Sequence, residues 1–134
     1  MIDPRIAQSF ARQSMMTSLQ ARLIHAADGR CIIRAPLLPV FQQQHGAAHA
    51  AVSFALGDSA AGYAALTLLP EGQEVMTAEM KINLLSPAIG DMLEASGDVQ
   101  RAGRRLTVVR AEVLALSGDS RKTVALLQGT MIGV

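Results

Sequence analysis

The 134 residues contain no tryptophan, and three Phe and one Tyr are the only aromatics. Stacking platforms for nucleic-acid bases are therefore missing, and a core has to be built from Ala, Leu, Val, Ile and Met. A lone cysteine, Cys31, excludes an intramolecular disulfide and a cysteine-based metal cluster. No apolar run is long and clean enough to span a membrane: the stretch from Ala47 to Leu69 is interrupted by His49, Ser53, Asp58 and Ser59 and stops at Pro70. The opening residues carry Asp3, Arg5 and Arg12, too polar for the apolar region of a signal peptide, so a reducing cytoplasm is the expected setting. Neither G-x-G-x-x-G nor G-x-x-x-x-G-K occurs, which removes the common phosphate-binding loops.

What the chain has in quantity is small and branched apolar side chains. Half of the residues are hydrophobic and 17% are charged, the opposite of a disordered composition. At this length, with no linker-like stretch, residues 1–134 are expected to form one domain. Area scaling has such a chain burying roughly two thirds of its surface on folding, enough for a sizeable core. The net charge of +1 is unevenly spread. Residues 1–34 hold five Arg against two Asp, residues 35–100 one Lys against seven acids, and residues 101–134 six basic groups against two acidic. Arg101, Arg104 and Arg105 form a local cluster that suits a small phosphorylated ligand better than a polymer, which needs a long basic track, and charge alone fits a solvated hairpin tip equally well.

Periodicity then orders the chain. Asp3 and Pro4 read as an N-cap and first helical residue ahead of Ile6, Phe10 and Met15. Asp28-Gly29 marks a tight hairpin between strands at Gln20 to Ala26 and Arg30 to Leu37, and Val40 to Ala48 reads as loop. From His49 to about Gly62 the chain is apolar on nearly every helical face, which demands a buried central helix, and Ala64 to Leu69 follows as a short apolar run. Met76 to Leu84 alternates, with Met76, Ala78, Met80, Ile82 and Leu84 expected on a buried face and Thr77, Glu79, Lys81 and Asn83 on a polar one. Leu93 to Val99 alternates against Glu94, Ser96, Asp98 and Gln100, while Leu106 to Leu116 shifts phase, which suggests a bulge near Val108. Thr123 to Ile132 is the last strand. The order describes an α+β protein with an antiparallel sheet around one helix.

Candidate chemistry concentrates in Gln43-Gln44-His45-Gly46-Ala47-Ala48-His49-Ala50-Ala51 and the later Asp58. His45 and His49 have the spacing of two zinc ligands, but the accompanying Glu is missing and His45 lies in a loop, so no metal is expected. A helix starting near His49 points unpaired backbone N–H groups, Ala50's among them, and its positive dipole end at whatever the loop holds. That arrangement suits an oxyanion. Asp58 is a carboxylate in an apolar helix, costly to bury unless paired or useful, and burial should raise its pKa. On these residues alone, a structural reading, with Asp58 bonded locally and both histidines satisfied, is the stronger one.

The string Gln-Gln-His-Gly-x-x-His-Ala-Ala with Asp58 nine residues after His49, then Ala60 to Ala65, Thr77 to Ala88, Gly103-Arg104-Arg105-Leu106 and Gly129-Thr130-Met131, resembles the hotdog-fold acyl-CoA thioesterases of the phenylacetate-degradation type. The resemblance covers nearly all of the chain from Phe10 onward. It implies a hotdog fold, an antiparallel sheet wrapped around a long central helix, and hydrolysis of an acyl-CoA to free acid and CoA without a metal or bound cofactor. It implies that the Ala50 amide polarises the thioester carbonyl, where most relatives have Gly, and that Asp58 acts as nucleophile or as general base on water. Gln43 falls where relatives orient a carbonyl or carboxylate, Thr77 where a hydroxyl holds the attacking water, and His49 on the His of the family's H-G-G string. Leu84, Leu85, Ser86 and Pro87, with Arg101, Gly103, Arg104 and Arg105, fall where relatives line the CoA tunnel. The partners so implied are an acyl-CoA substrate and a second copy of the chain, in a homodimer with shared sites assembled into a homotetramer; nucleic acid and membrane are not among them. A non-catalytic acyl-CoA-binding hotdog module is the rival reading, and a hotdog dehydratase or hydratase a weaker one.

Overall fold

The computed structural model describes residues 1–134. Asp3 caps α1 (Pro4–Arg12) by accepting from the Arg5 N–H at 2.8 Å. A short α2 (Ser14–Ser18) follows directly. β1 (Arg22–Ala27) and β2 (Arg30–Pro36) form the expected hairpin, with Asp28 and Gly29 at φ 52° and 77°, the two left-handed residues that a twisted two-residue turn requires. The helix α3 (Ala50–Leu66) runs four residues beyond Gly62 and absorbs the first half of the apolar run from Ala64, because Ala64, Ala65 and Leu66 extend its buried face until Thr67 closes it.

Four strands complete the chain: β3 (Val75–Leu84), β4 (Met92–Ala102), β5 (Leu106–Ser117) and β6 (Ser120–Gly133). They join the hairpin in one antiparallel sheet of order β1-β2-β4-β5-β6-β3, which curls around α3. This is the α+β hotdog arrangement. The core lies between helix and sheet, where Ile33, Leu56, Leu93, Val109, Val113 and Met131 are fully buried. Helix and sheet touch backbone to backbone: a Cβ on Gly97 of β4 would lie 2.4 Å from the Ala60 carbonyl carbon. Small residues on both sides are thus a condition of the packing.

Three expectations need correction. β3 has no fully buried residue; Met76 and Leu84 are each 56% exposed, because β3 is an edge strand and its register slips between Thr77 and Glu79. The extra residue, Ala78, reverses the phase, so Val75 and Thr77 face the helix before the bulge and Met80 and Ile82 after it. Near Val108 the irregularity lies in the partner strand: the β4 register skips Gln100, and β5 alternates without interruption from Thr107 to Ala115. Glu94, expected on a polar face, is 6% exposed, held by Arg34 at 2.5 Å and Arg121 at 2.7 Å. Burial alone would raise its pKa, but the two arginines outweigh burial and hold it below the usual carboxylate value.

The two sheet edges are unlike. β1 is flanked by the N-terminal residues, which exchange backbone bonds with Ala26 from Met1 and Asp3. β3, ten residues long, has nothing along its outer edge.

Candidate active site

Around Ala50 the site is made of backbone. Gln43 Oε1 accepts from the His45 N–H at 2.5 Å and the Ala47 N–H at 3.3 Å, which folds the loop over and leaves only the Gln43 Nε2 group to donate outward. His49 caps α3, its Nδ1 accepting from the Ala51 N–H at 2.9 Å. With Ala51 satisfied by this cap and Val52 by the His49 carbonyl, the Ala50 N–H is the first donor of the helix without a partner. It faces a cleft of about 520 Å³ that it shares with Gln43, His49 and the segment Leu84 to Ala88. A helix N-terminus with an open amide stabilises negative charge placed there.

Asp58 belongs to a different cavity, of about 390 Å³, two turns further along α3. It is half-buried, and the Thr77 hydroxyl donates to its Oδ1 at 2.8 Å. Thr77 reaches it only because the Ala78 bulge turns that residue inward. Burial raises the Asp58 pKa above its ordinary 3.8, against the smaller opposing effect of the Thr77 bond. A half-desolvated carboxylate of this kind is a stronger base, and less shielded from an electrophile, than a solvated one.

The structure therefore gathers Gln43, His49, Ala50, Leu84, Leu85, Ser86 and Pro87 around one opening, and Asp58 and Thr77 around another. No residue lines both. Arg101, Gly103, Arg104 and Arg105 are exposed at the β4–β5 turn and line neither. Their end of the sheet is the Thr77 end: Thr107 pairs with Met131, which pairs with Thr77. Leu84 lies at the other end, its partner Ala125 pairing with Val113. Cys31 is buried in β2, its thiol pushed up to about 12 by desolvation, which makes it inert. No three His, Cys, Asp or Glu side chains stand close enough together to hold one metal ion, and no helix is long and apolar enough to cross a membrane.

Sequence reasoning missed Gln13, Ser59 and Tyr63, which wall the Asp58 cavity through mutual hydrogen bonds. Only their contact across α1, α2 and α3 marks them, and no local pattern in the sequence does.

A thioesterase family protein of Silicibacter pomeroyi superimposes with a TM-score of 0.95 and 35% identity, covering 97% of this chain and 96% of its own. A Bacillus halodurans protein, solved with CoA, gives a TM-score of 0.79 and 26% identity over 97% of this chain and 83% of its own. A Saccharolobus solfataricus protein with a provisional esterase name is 30% identical over 94 residues, 70% of this chain and 66% of that relative, just under two thirds of its length. The Thioesterase superfamily model matches residues 45–121, a segment that begins at the loop before α3 and contains His49, Ala50, Asp58, Thr77 and the Leu84 to Ala88 segment. With the sheet, the central helix and that segment all in agreement, this chain belongs to the Thioesterase superfamily.

Proposed function

We propose that this protein is a cytoplasmic acyl-CoA thioesterase of the phenylacetate-degradation type that hydrolyses an acyl- or aryl-CoA to the free acid and CoA, in a site built by two copies of the chain. One observation carries the reading. Ala50 and Asp58 sit on one helix, eight residues and therefore about 12 Å apart along its axis, too far to act on the same carbonyl. Each chain thus holds half of a hydrolytic site. Antiparallel association along β3, whose edge is bare, supplies the missing half twice over.

In the joined site the Ala50 amide, at the positive end of α3, donates to the thioester oxygen as charge develops on it. Gln43 Nε2 donates beside it, and His49 fixes the first turn. Asp58 of the other chain, its carboxylate oriented by Thr77, either takes a proton from water as that water adds to the carbonyl carbon, or adds to the carbon itself to give a mixed anhydride that water then cleaves. On either route the C–S bond breaks as the tetrahedral intermediate collapses, and CoA leaves as the thiolate, taking up a proton to become the thiol. The chemistry calls on no metal or resident cofactor: the amide, at the positive end of the helix, donates to the developing oxyanion, and the carboxylate is the nucleophile or base. Leu84 to Pro87 would guide the pantetheine arm, and Arg101, Arg104 and Arg105 would meet the nucleotide phosphates. These two groups lie at opposite ends of the sheet of one chain, and a tetramer of two dimers, which the resemblance implies, would bring the ends of different chains together around one CoA.

Thiol release from a panel of aryl, short and medium acyl-CoAs tests the activity. Turnover of at least one member is expected. Tight binding of acyl-CoA with no thiol release from any would replace this reading with a binding module.

A further inference from the structure

The cavity that holds Asp58 is walled by a polar cluster that the hydrolytic chemistry does not use. α1 ends at Arg12 and α2 begins at Ser14, with Gln13 extended between them, although no proline or glycine breaks the helix there. The break turns the Gln13 side chain onto α3. Its Oε1 accepts from the Ser59 hydroxyl at 3.2 Å, and its Nε2 donates to the Tyr63 hydroxyl at 3.1 Å. Ser9 Oγ lies 3.4 Å from that same hydroxyl. Ser59 and Tyr63 follow Asp58 by one and five positions, so the cluster lies beside the carboxylate and one turn beyond it.

Only three of the 11 residues lining this cavity are hydrophobic. The contrast lies on the same helix, where a cleft of about 280 Å³ toward its N-terminus is walled by Met15, Leu19, Phe41, Val52 and Ala55. A side-chain amide carries two N–H donors and a carbonyl with two lone pairs, and hydroxyls both give and accept, so the cluster keeps spare bonding capacity after its internal bonds are made. An alkyl chain in the cavity strips solvent from these groups and returns nothing, whereas a substituent that can hydrogen-bond replaces what was lost.

We propose that Gln13, Ser59 and Tyr63 form the acyl-selecting subsite, which favours a short acyl group bearing a hydroxyl or carbonyl substituent over an unsubstituted alkyl chain. The inference rests on the thioesterase reading above and adds its substrate class. Gln13 is here a specificity residue, not a catalytic one.

The test compares acyl-CoA pairs of equal length, butanoyl with 3-hydroxybutanoyl and pentanoyl with 4-hydroxypentanoyl, together with octanoyl-CoA. In the wild type, kcat/KM for at least one hydroxylated member should exceed that of its partner about tenfold or more, the worth of one to two retained hydrogen bonds, with most of the difference in KM. Gln13→Leu should bring that ratio toward one and improve octanoyl-CoA. Tyr63→Phe, which removes a single oxygen, should lower the ratio in the same direction and covers the case in which Gln13→Leu folds poorly. A merely structural role would depress both members of a pair alike. Calorimetric binding of the same pairs to Asp58→Asn separates this inference from the hydrolytic reading: selective, Gln13-dependent binding without thiol release from the wild type would overturn hydrolysis and leave the subsite standing. Pairs that bind and react equally in the wild type, or a ratio that survives both variants, would overturn the subsite.

Discussion

In the proposed hydrolysis, the N-terminus and the middle of α3 bring opposite kinds of group to one carbonyl. At the N-terminus the working atom is a backbone hydrogen, the Ala50 N–H, exposed and held by a cap and a folded loop. Two turns later it is a side-chain carboxylate, Asp58, half-buried and oriented by one hydroxyl. A backbone donor tolerates a change of side chain, whereas a carboxylate used as nucleophile or base does not. The helix sets both: its first turn leaves amides unpaired whatever its sequence, and its interior desolvates whatever carboxylate is placed there.

Asp58→Asn breaks the side-chain end and should have the largest effect, a loss of about a hundredfold to ten-thousandfold in kcat with folding retained, because an amide of the same shape is neither nucleophile nor base. Wild-type turnover by the purified variant would remove Asp58 from the mechanism. At the N-terminus Ala50→Pro removes the N–H and puts a ring carbon in its place. Proline is favoured at the first helical position, and His49, at φ −57° and ψ 140°, already has the backbone conformation that precedes proline. A loss of about a hundredfold to a thousandfold in kcat with an unchanged melting temperature is expected, whereas Ala50→Gly should stay near wild type. Equal activity of the proline and glycine variants would show that the amide is not used.

Thr77→Val sharpens the comparison through pH. Catalysis needs Asp58 ionised, so kcat/KM should fall as the pH drops through a value above the ordinary 3.8. The Thr77 bond lowers that pKa, so its removal should move the acidic limb to higher pH, while the lost orientation of the carboxylate should lower kcat about tenfold on the plateau where Asp58 is ionised. A limb that stays in place would mean that Thr77 does not act on Asp58. Smallest of all, Arg104→Ala or Arg105→Ala should raise KM a few-fold for acyl-CoA with kcat held, and leave an acyl-pantetheine thioester unaffected. Equal KM effects on both substrates would make these arginines structural.

The sequence carried the frame of this site more clearly than its walls. The all-apolar face of α3, the Asp28-Gly29 turn and the nine-residue step from His49 to Asp58 are local patterns, and a reader of the chain can find them. β3 shows the limit. Its alternation is real, but alternation cannot tell an edge strand from a central one, and the bulge at Ala78 leaves apolar residues on both faces, so Thr77 looks solvent-facing until its register with β6 is seen. Glu94 is hidden for a related reason: Arg34 meets it from the adjacent β2 and Arg121 from β6, two strands across, 60 and 27 residues away. The Gln13 cluster depends on a helix break without a breaker residue, and its partners lie 46 and 50 residues downstream.

The division of the site between two chains is tested most directly by mixing the two broken ends. Ala50→Pro and Asp58→Asn are each expected to be nearly inactive alone. In a mixed dimer both changes fall in one site and the other keeps the amide of one chain and the carboxylate of its partner. With random exchange during co-expression or refolding, about half of the dimers are mixed and each carries one intact site of two, so about a quarter of wild-type activity should return. Mixed dimers confirmed by mass that are no more active than the separate variants would show instead that each chain builds its site alone.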